Sequence, residues 1–142
     1  MAVVIHLSNN AAKAMADGLA AYVDGGTAGV IEIYDGTIPA DADTAITTQV
    51  KLASLPFSAT AFGAATDANP GALITAAAIT SDSAADATGT AAWARIKQQA
   101  GGNTCFDVNV NTSGAFITVN TTSFVIGATV SCSSFTMTQP ES

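Results

Sequence analysis

The hydrophobic pattern of this chain changes period once, and that change limits what it can fold into. Up to Gly26 the apolar residues recur at helical spacing; beyond it they alternate. Ala12, Met15, Ala16, Leu19, Tyr22 and Val23 form one stripe, and Ser8 is suited to cap the first turn. Lys13 and Asp17 stand one turn apart on the polar side, and Asp24-Gly25-Gly26 ends the helix. The spacing predicts a helix over 8–24, preceded by an extended arm over 1–7. The stripe is narrow and rich in alanine, so the helix must pack on a sheet or on another subunit.

After Gly26 the sequence predicts about eight short strands, over 28–34, 45–53, 57–62, 72–80, 90–98, 103–110, 115–120 and 129–138. Turn residues separate them: Asp35-Gly36, Gly101-Gly102, Ser113-Gly114 and finally Pro140. In the second, Ile46, Thr48, Val50 and Leu52 face one way. In the fifth, Ala92, Ala94 and Ile96 share a face, and Ala91, Trp93, Arg95 and Lys97 share the other. Gly101-Gly102 predicts a hairpin between the fifth and sixth. Phe57, Phe62, Trp93, Phe106, Phe116, Phe124 and Phe135 are the predicted aromatic core. The pattern specifies a mostly β fold: an antiparallel, jelly-roll-like β-sandwich over 27–140 with one N-terminal helix and an extended N-terminal arm, all within a single domain over 1–142. An immunoglobulin-like strand order remains open.

Composition bears on function. Charged residues make up 11% of the 142 residues, against about 25% in ordinary globular domains. A surface of Ala, Thr, Ser, Gly and Asn is cheap to desolvate, and it lacks the long charged side chains that keep monomers apart. The net charge is −7, and the cations are Lys13, Lys51, Arg95 and Lys97. Four scattered cations form no basic stripe, so neither nucleic acid nor a membrane of anionic lipid is expected as a partner. No apolar run has the length of a membrane-crossing helix, and Met1-Ala2-Val3-Val4-Ile5-His6-Leu7 lacks the charged and long apolar parts of a secretion signal. The chain is therefore expected to be made in a cytoplasm, with Cys105 and Cys132 as free, buried thiols.

A search for chemistry returns little, and no catalytic residue, cofactor or metal ligand is expected. His6, the one histidine, lies in the arm and reads as an arm or packing residue. No Gly-x-Ser-x-Gly elbow and no phosphate loop occur. Asp35 with Asp107 is the pair that could face a cleft for glycoside hydrolysis, but aromatic platforms are few. Asp41-Ala42-Asp43 and Asp82-Ser83-Ala84-Ala85-Asp86 are the best Ca²⁺ candidates; neither has EF-hand spacing, and turn roles explain them better. Trp93 beside Arg95 reads either as an interface anchor or as a core aromatic. Val3-Val4-Ile5 reads either as the first strand of its own fold or as a strand added to a neighbour's sheet edge.

Three stretches carry a resemblance. They are Ile31-Glu32-Ile33-Tyr34-Asp35-Gly36-Thr37-Ile38-Pro39-Ala40-Asp41-Ala42-Asp43-Thr44, then Asp86-Ala87-Thr88-Gly89-Thr90-Ala91-Ala92-Trp93-Ala94-Arg95, then Asn120-Thr121-Thr122-Ser123 with Ser134-Phe135-Thr136-Met137-Thr138. From about Val30 to Pro140 the chain resembles small virion structural proteins encoded by tailed bacteriophages and prophages. The resemblance implies a capsid decoration, or cement, protein that binds the major capsid protein on the head exterior after assembly in the host cytoplasm. It also implies self-association as a dimer or trimer. A neck, tail or head-fibre component is the alternative within that class, and a carbohydrate-binding adhesin module is the alternative outside it. The expected interface residues are Val3, Val4 and Ile5 of the arm, Met15, Leu19 and Tyr22 of the helix, and Trp93 with Arg95.

Overall fold

The computed structural model describes residues 2–142. One helix, α1 (Asn9–Val23), precedes ten strands: β1 (Val30–Tyr34), β2 (Lys51–Pro56), β3 (Thr66–Asp67), β4 (Ala72–Thr75), β5 (Gly89–Thr90), β6 (Trp93–Lys97), β7 (Thr104–Asn111), β8 (Ile117–Val119), β9 (Ser123–Phe124) and β10 (Cys132–Gln139). The mostly β class and the N-terminal helix stand as the sequence predicts. Eight strands form one sheet in the order β2-β1-β6-β7-β8-β10-β4-β3, and β5 pairs with β9 in a second, two-stranded sheet. Neighbours are antiparallel except β7 and β8, so the large sheet is mixed. The strands therefore do not divide into two equal antiparallel sheets; the hydrogen-bond ladder runs on through the β7–β8 contact.

Helix α1 forms where the period requires it. The Ser8 side chain accepts from the Ala11 amide at 3.2 Å, and the chain leaves the helix at Asp24. Its buried face is Ala12, Ala16, Ala20 and Val23. Small side chains let the helix lie close against β4 and β10. At Gly29 a Cβ would stand 2.7 Å from Cγ1 of Val23 and 3.0 Å from the Phe57 ring, so any side chain there would push α1 off the sheet.

The core is aromatic where the helix, β4 and β10 meet. Phe135 is 1% exposed and lies 5.2 Å from Phe62, 6.0 Å from Phe57 and 6.2 Å from Phe106 between ring centres. Ile31, Ile33, Leu52, Leu55, Ile96 and Ile117 complete it. Phe124 is buried as expected, Phe106 is half-buried, and Phe116 instead stands outside at 44% exposure.

Several boundaries differ from the predicted ones. The alternation over 45–50 is not a strand: β2 begins at Lys51, because Val50 donates to Asp35 Oδ1 at 2.6 Å and Gln49 to the Thr37 carbonyl at 2.7 Å. These bonds fold 37–50 into a loop over β1. Residues 57–62 make only isolated bridges, Phe57 with Ile79 and Phe62 with Ala76. The 90–98 segment splits: Gly89–Thr90 joins β9, and β6 starts at Trp93. The predicted hairpin across Gly101-Gly102 is present as β6–β7, with Gly101 at φ +72°.

Phe135→Ala opens a cavity that three rings cannot close, and is expected to cost about 3–5 kcal/mol. Urea denaturation checks this as a lowered midpoint with an unchanged slope.

Candidate functional site

Strand β6 is buried on both faces, and this creates the one concentrated set of polar side chains in the fold. Ala94 and Ile96 face the core, while Trp93, Arg95 and Lys97 face the other way. Strand β1 does the same, with Ile31 and Ile33 on the core side and Glu32 and Tyr34 on the second face. The register sets Glu32 opposite Arg95 and Arg95 opposite Asp107. Acid, base and acid thus lie in one row across three strands.

Arg95 is 4% and Glu32 7% exposed. The Arg95 fork grips Asp107 through Nε to Oδ1 and through Nη2 to Oδ2, each at 2.8 Å. Its remaining nitrogen, Nη1, donates to the Thr44 carbonyl at 2.9 Å. The hydrogen bond to Asp107 holds the guanidinium proton above its ordinary range. Lys97 Nζ stands 3.4 Å from Glu32 Oε2, and Tyr34 donates its hydroxyl to the same oxygen at 2.9 Å. Burial, and then the bond to Glu32, push the Tyr34 phenol far above its usual value. The four charges sum to zero, which is what a poorly hydrated face requires.

Trp93 completes the row. Its ring stacks on Tyr34 at 4.9 Å and 17°, its Nε1 donates to the Asp35 carbonyl at 3.0 Å, and Arg95 sits 5.5 Å from its ring centre. The 37–50 loop covers the row, and Arg95 ties it down through Thr44. Beside the loop lies an open cleft of about 500 Å³ between Ala42–Ala45, Tyr22 and Asn103.

The expectation that Trp93 and Arg95 face a partner is corrected. Trp93 is 1% exposed, and both side chains are held inside by their own strand neighbours and by the loop. Asp35 and Asp107 do not come together as an acid pair, since Asp107 serves Arg95 and Asp35 serves Val50. The acidic loops have turn roles. Asp41 accepts from Thr44 at 2.8 Å, and the two oxygens of Asp82 accept from the Ser54 and Ala84 amides. Asp86 lies 3.7 Å from Lys51. Among the described residues no group of three or more His, Cys, Asp or Glu side chains could hold a metal ion, and no helix is long and apolar enough to cross a membrane.

Sequence reasoning passed over Glu32 and Tyr34. A signal was present: Glu32 and Tyr34 repeat at a spacing of two, as do Trp93, Arg95 and Lys97, so two strands each carry a polar face.

The arm residues stand apart from this cluster. Residues 2–7 form no strand with the rest of the chain, so Val3-Val4-Ile5 is not the first strand of its own fold. Val3 is 101%, Val4 64% and Ile5 68% exposed, and among the described residues the arm's one backbone bond to the rest of the fold is at its root, where Leu7 donates to the Glu141 carbonyl at 2.7 Å. On the helix, Met15 and Tyr22 are half exposed. Leu19 is partly covered by its own fold, beside Ile74 and Met137. Comparison with protein-family models, with curated proteins and with solved structures finds no match to this chain.

Two outcomes follow. Asp107→Leu leaves the buried Arg95 without its carboxylate and is expected to cost about 3–5 kcal/mol, whereas Arg95→Met with Asp107→Leu recovers most of that loss; a denaturation cycle over the three variants measures it. Burial raises the Cys105 thiol from 9.0 to about 11. Any stability this raised value gives is complete below pH 9 and declines as pH climbs toward 11. At pH 9 Cys105 should carry about fiftyfold less thiolate than a free cysteine, read as slower labelling by a thiol reagent.

Proposed function

We propose that this protein is a virion structural protein, a capsid decoration (cement) protein that works by being packed against other protein subunits. One observation carries the reading: the apolar, β-branched residues Val3, Val4 and Ile5 are mostly exposed on a chain whose charged residues make up only 11%. Three exposed aliphatic residues on an extended backbone are unfavourable in water and complementary to a sheet edge. The outward side of α1 carries Ala14, Met15, Gly18, Ala21 and Tyr22, all exposed, with Asp17 as the exposed charge among them. Val125 and Ile126 add a further apolar tip at 56% and 64% exposure.

The buried row supports the same reading. Its polar groups are turned on one another and on the covering loop, which makes the sheet stiff. A cement protein straddling a seam between capsomers needs such a body, and many weak contacts per shell add to a strong hold. The resemblance of the 31–44, 86–95 and 120–123 with 134–138 stretches to phage virion proteins supplies the choice of shell.

Counting copies per particle tests the assignment: hundreds place the protein on the head, and about a dozen or fewer place it on the neck or tail axis. Deleting residues 1–7 is expected to leave a cooperatively folding domain that binds capsids at least tenfold more weakly. Unchanged capsid binding by that folded domain would remove the arm from the interface.

A further inference from the structure

We infer that the arm of one copy is the missing strand of a cleft in a second copy. The cleft follows from the register. Strands β4 and β10 pair antiparallel from Ala72 with Gln139 up to Thr75 with Thr136, and the Ala76 amide makes one more bond, to the Phe135 carbonyl. Continued, the register would set Ala77 against Ser134, Ala78 against Ser133 and Ile79 against Cys132. These residues instead part and line an open cleft of about 270 Å³.

Each wall turns away for its own reason. Segment 76–79 bridges outward to Phe57 and Phe62, and the first half of β10 pairs on its far side with β8. Two strand edges are left facing each other between the Ala76–Phe135 bond and the Asp82–Val130 bridge that joins them again. Their side chains are alanine and serine, with Ala77, Ala78, Ser133 and Ser134 exposed. Such walls let a third backbone approach, and an unpaired edge gains main-chain hydrogen bonds by accepting a strand. No charged residue lines the cleft, and Val3-Val4-Ile5 carries none.

The arm of the same copy cannot reach. The Ala61 amide donates to Asp24, at the far end of α1, and the Ala61 carbonyl accepts from Ala77 in the cleft wall. The cleft therefore lies at the C-terminal end of α1, and the arm leaves from the N-terminal end. Sixteen residues of helical rise from Ser8 to Asp24 separate those ends by about 24 Å. Val3 lies four residues from Leu7, which is tied to Glu141, so the apolar segment extends at most about 14 Å. The donor must be another molecule. Two copies set antiparallel along their helices fill both clefts at once, a closed twofold arrangement.

The inference deepens the self-association in the function proposed above and rests on it, but it needs no shell. Purified full-length chain tests it by sedimentation and amide hydrogen exchange. Val4→Pro removes an arm amide that makes no hydrogen bond to the rest of the described fold. The expected result is an oligomer that Val4→Pro converts to monomer, with the amides of 78–79 and 133–134 exchanging at least tenfold faster in the variant. A second measurement pairs Val4→Cys with Ala78→Cys in a chain whose Cys105 and Cys132 are alanine. Mild oxidation should then link two chains through those positions. A wild type that is monomeric at all concentrations, equal exchange in the two proteins, or no linked chains would overturn the arm-in-cleft joint. A monomer that still binds capsids overturns this joint alone; an arm-linked dimer that ignores capsids overturns the shell role alone.

Discussion

The guanidinium of Arg95 fixes how the second face of the sheet is built. A charge at 4% exposure is tolerable only when each of its three nitrogens has a hydrogen-bond partner. Asp107 takes two of them, and the Thr44 carbonyl takes a third. The first demand sets the β6–β7 register, since a slip of one residue would turn Asp107 to the core. The second holds the 37–50 loop over the row. Glu32, Lys97 and Tyr34 then balance and cover what remains. Oδ1 of Asn9 is, among the described residues, the one buried side-chain polar atom without a partner, and it lies outside this row.

Small residues decide the other half of the fold. Ala12, Ala16 and Ala20 let α1 sit close enough for Phe57, Phe62 and Phe135 to meet beneath it. The same economy of side chain extends past Thr75, where Ala76–Ala78 and Ser133–Ser134 line a gap that larger residues would fill. Close packing inside and an open seam at the edge thus come from one composition. A body of this kind has little surface charge to hold neighbours off. Its exposed apolar groups are concentrated on an arm, a helix face and a loop tip.

The resulting division is between a rigid body and a free strand. The body spends its Trp, its Arg and most of its acids on its own geometry. The arm spends nothing on the body beyond the Leu7 bond. Such a division suits a part that must hold its shape while joined to others, because the joining segment can be ordered by a neighbour without disturbing the core.

Much of the helix and several strands were legible from local pattern alone. Ser8 as cap, the alanine stripe, the Gly101-Gly102 hairpin and the buried Phe57, Phe62, Phe124 and Phe135 each depend on neighbours close in the chain or on a preference for burial. Other features depended on distant partners. Residues 45–50 alternate like a strand, yet their amides answer to Asp35 and Gln49, so they became a loop. Trp93 and Arg95 read equally as anchor or core, because an alternating strand does not say which of its faces is covered. Only the folded chain brings Asp107, Thr44 and Tyr34 to them. Likewise the sequence by itself determined that Val3-Val4-Ile5 is extended and apolar, through β-branching. Tertiary structure decided that, among the described residues, it pairs with no strand of its own chain, because the length of α1 carries it away from the cleft beside β10.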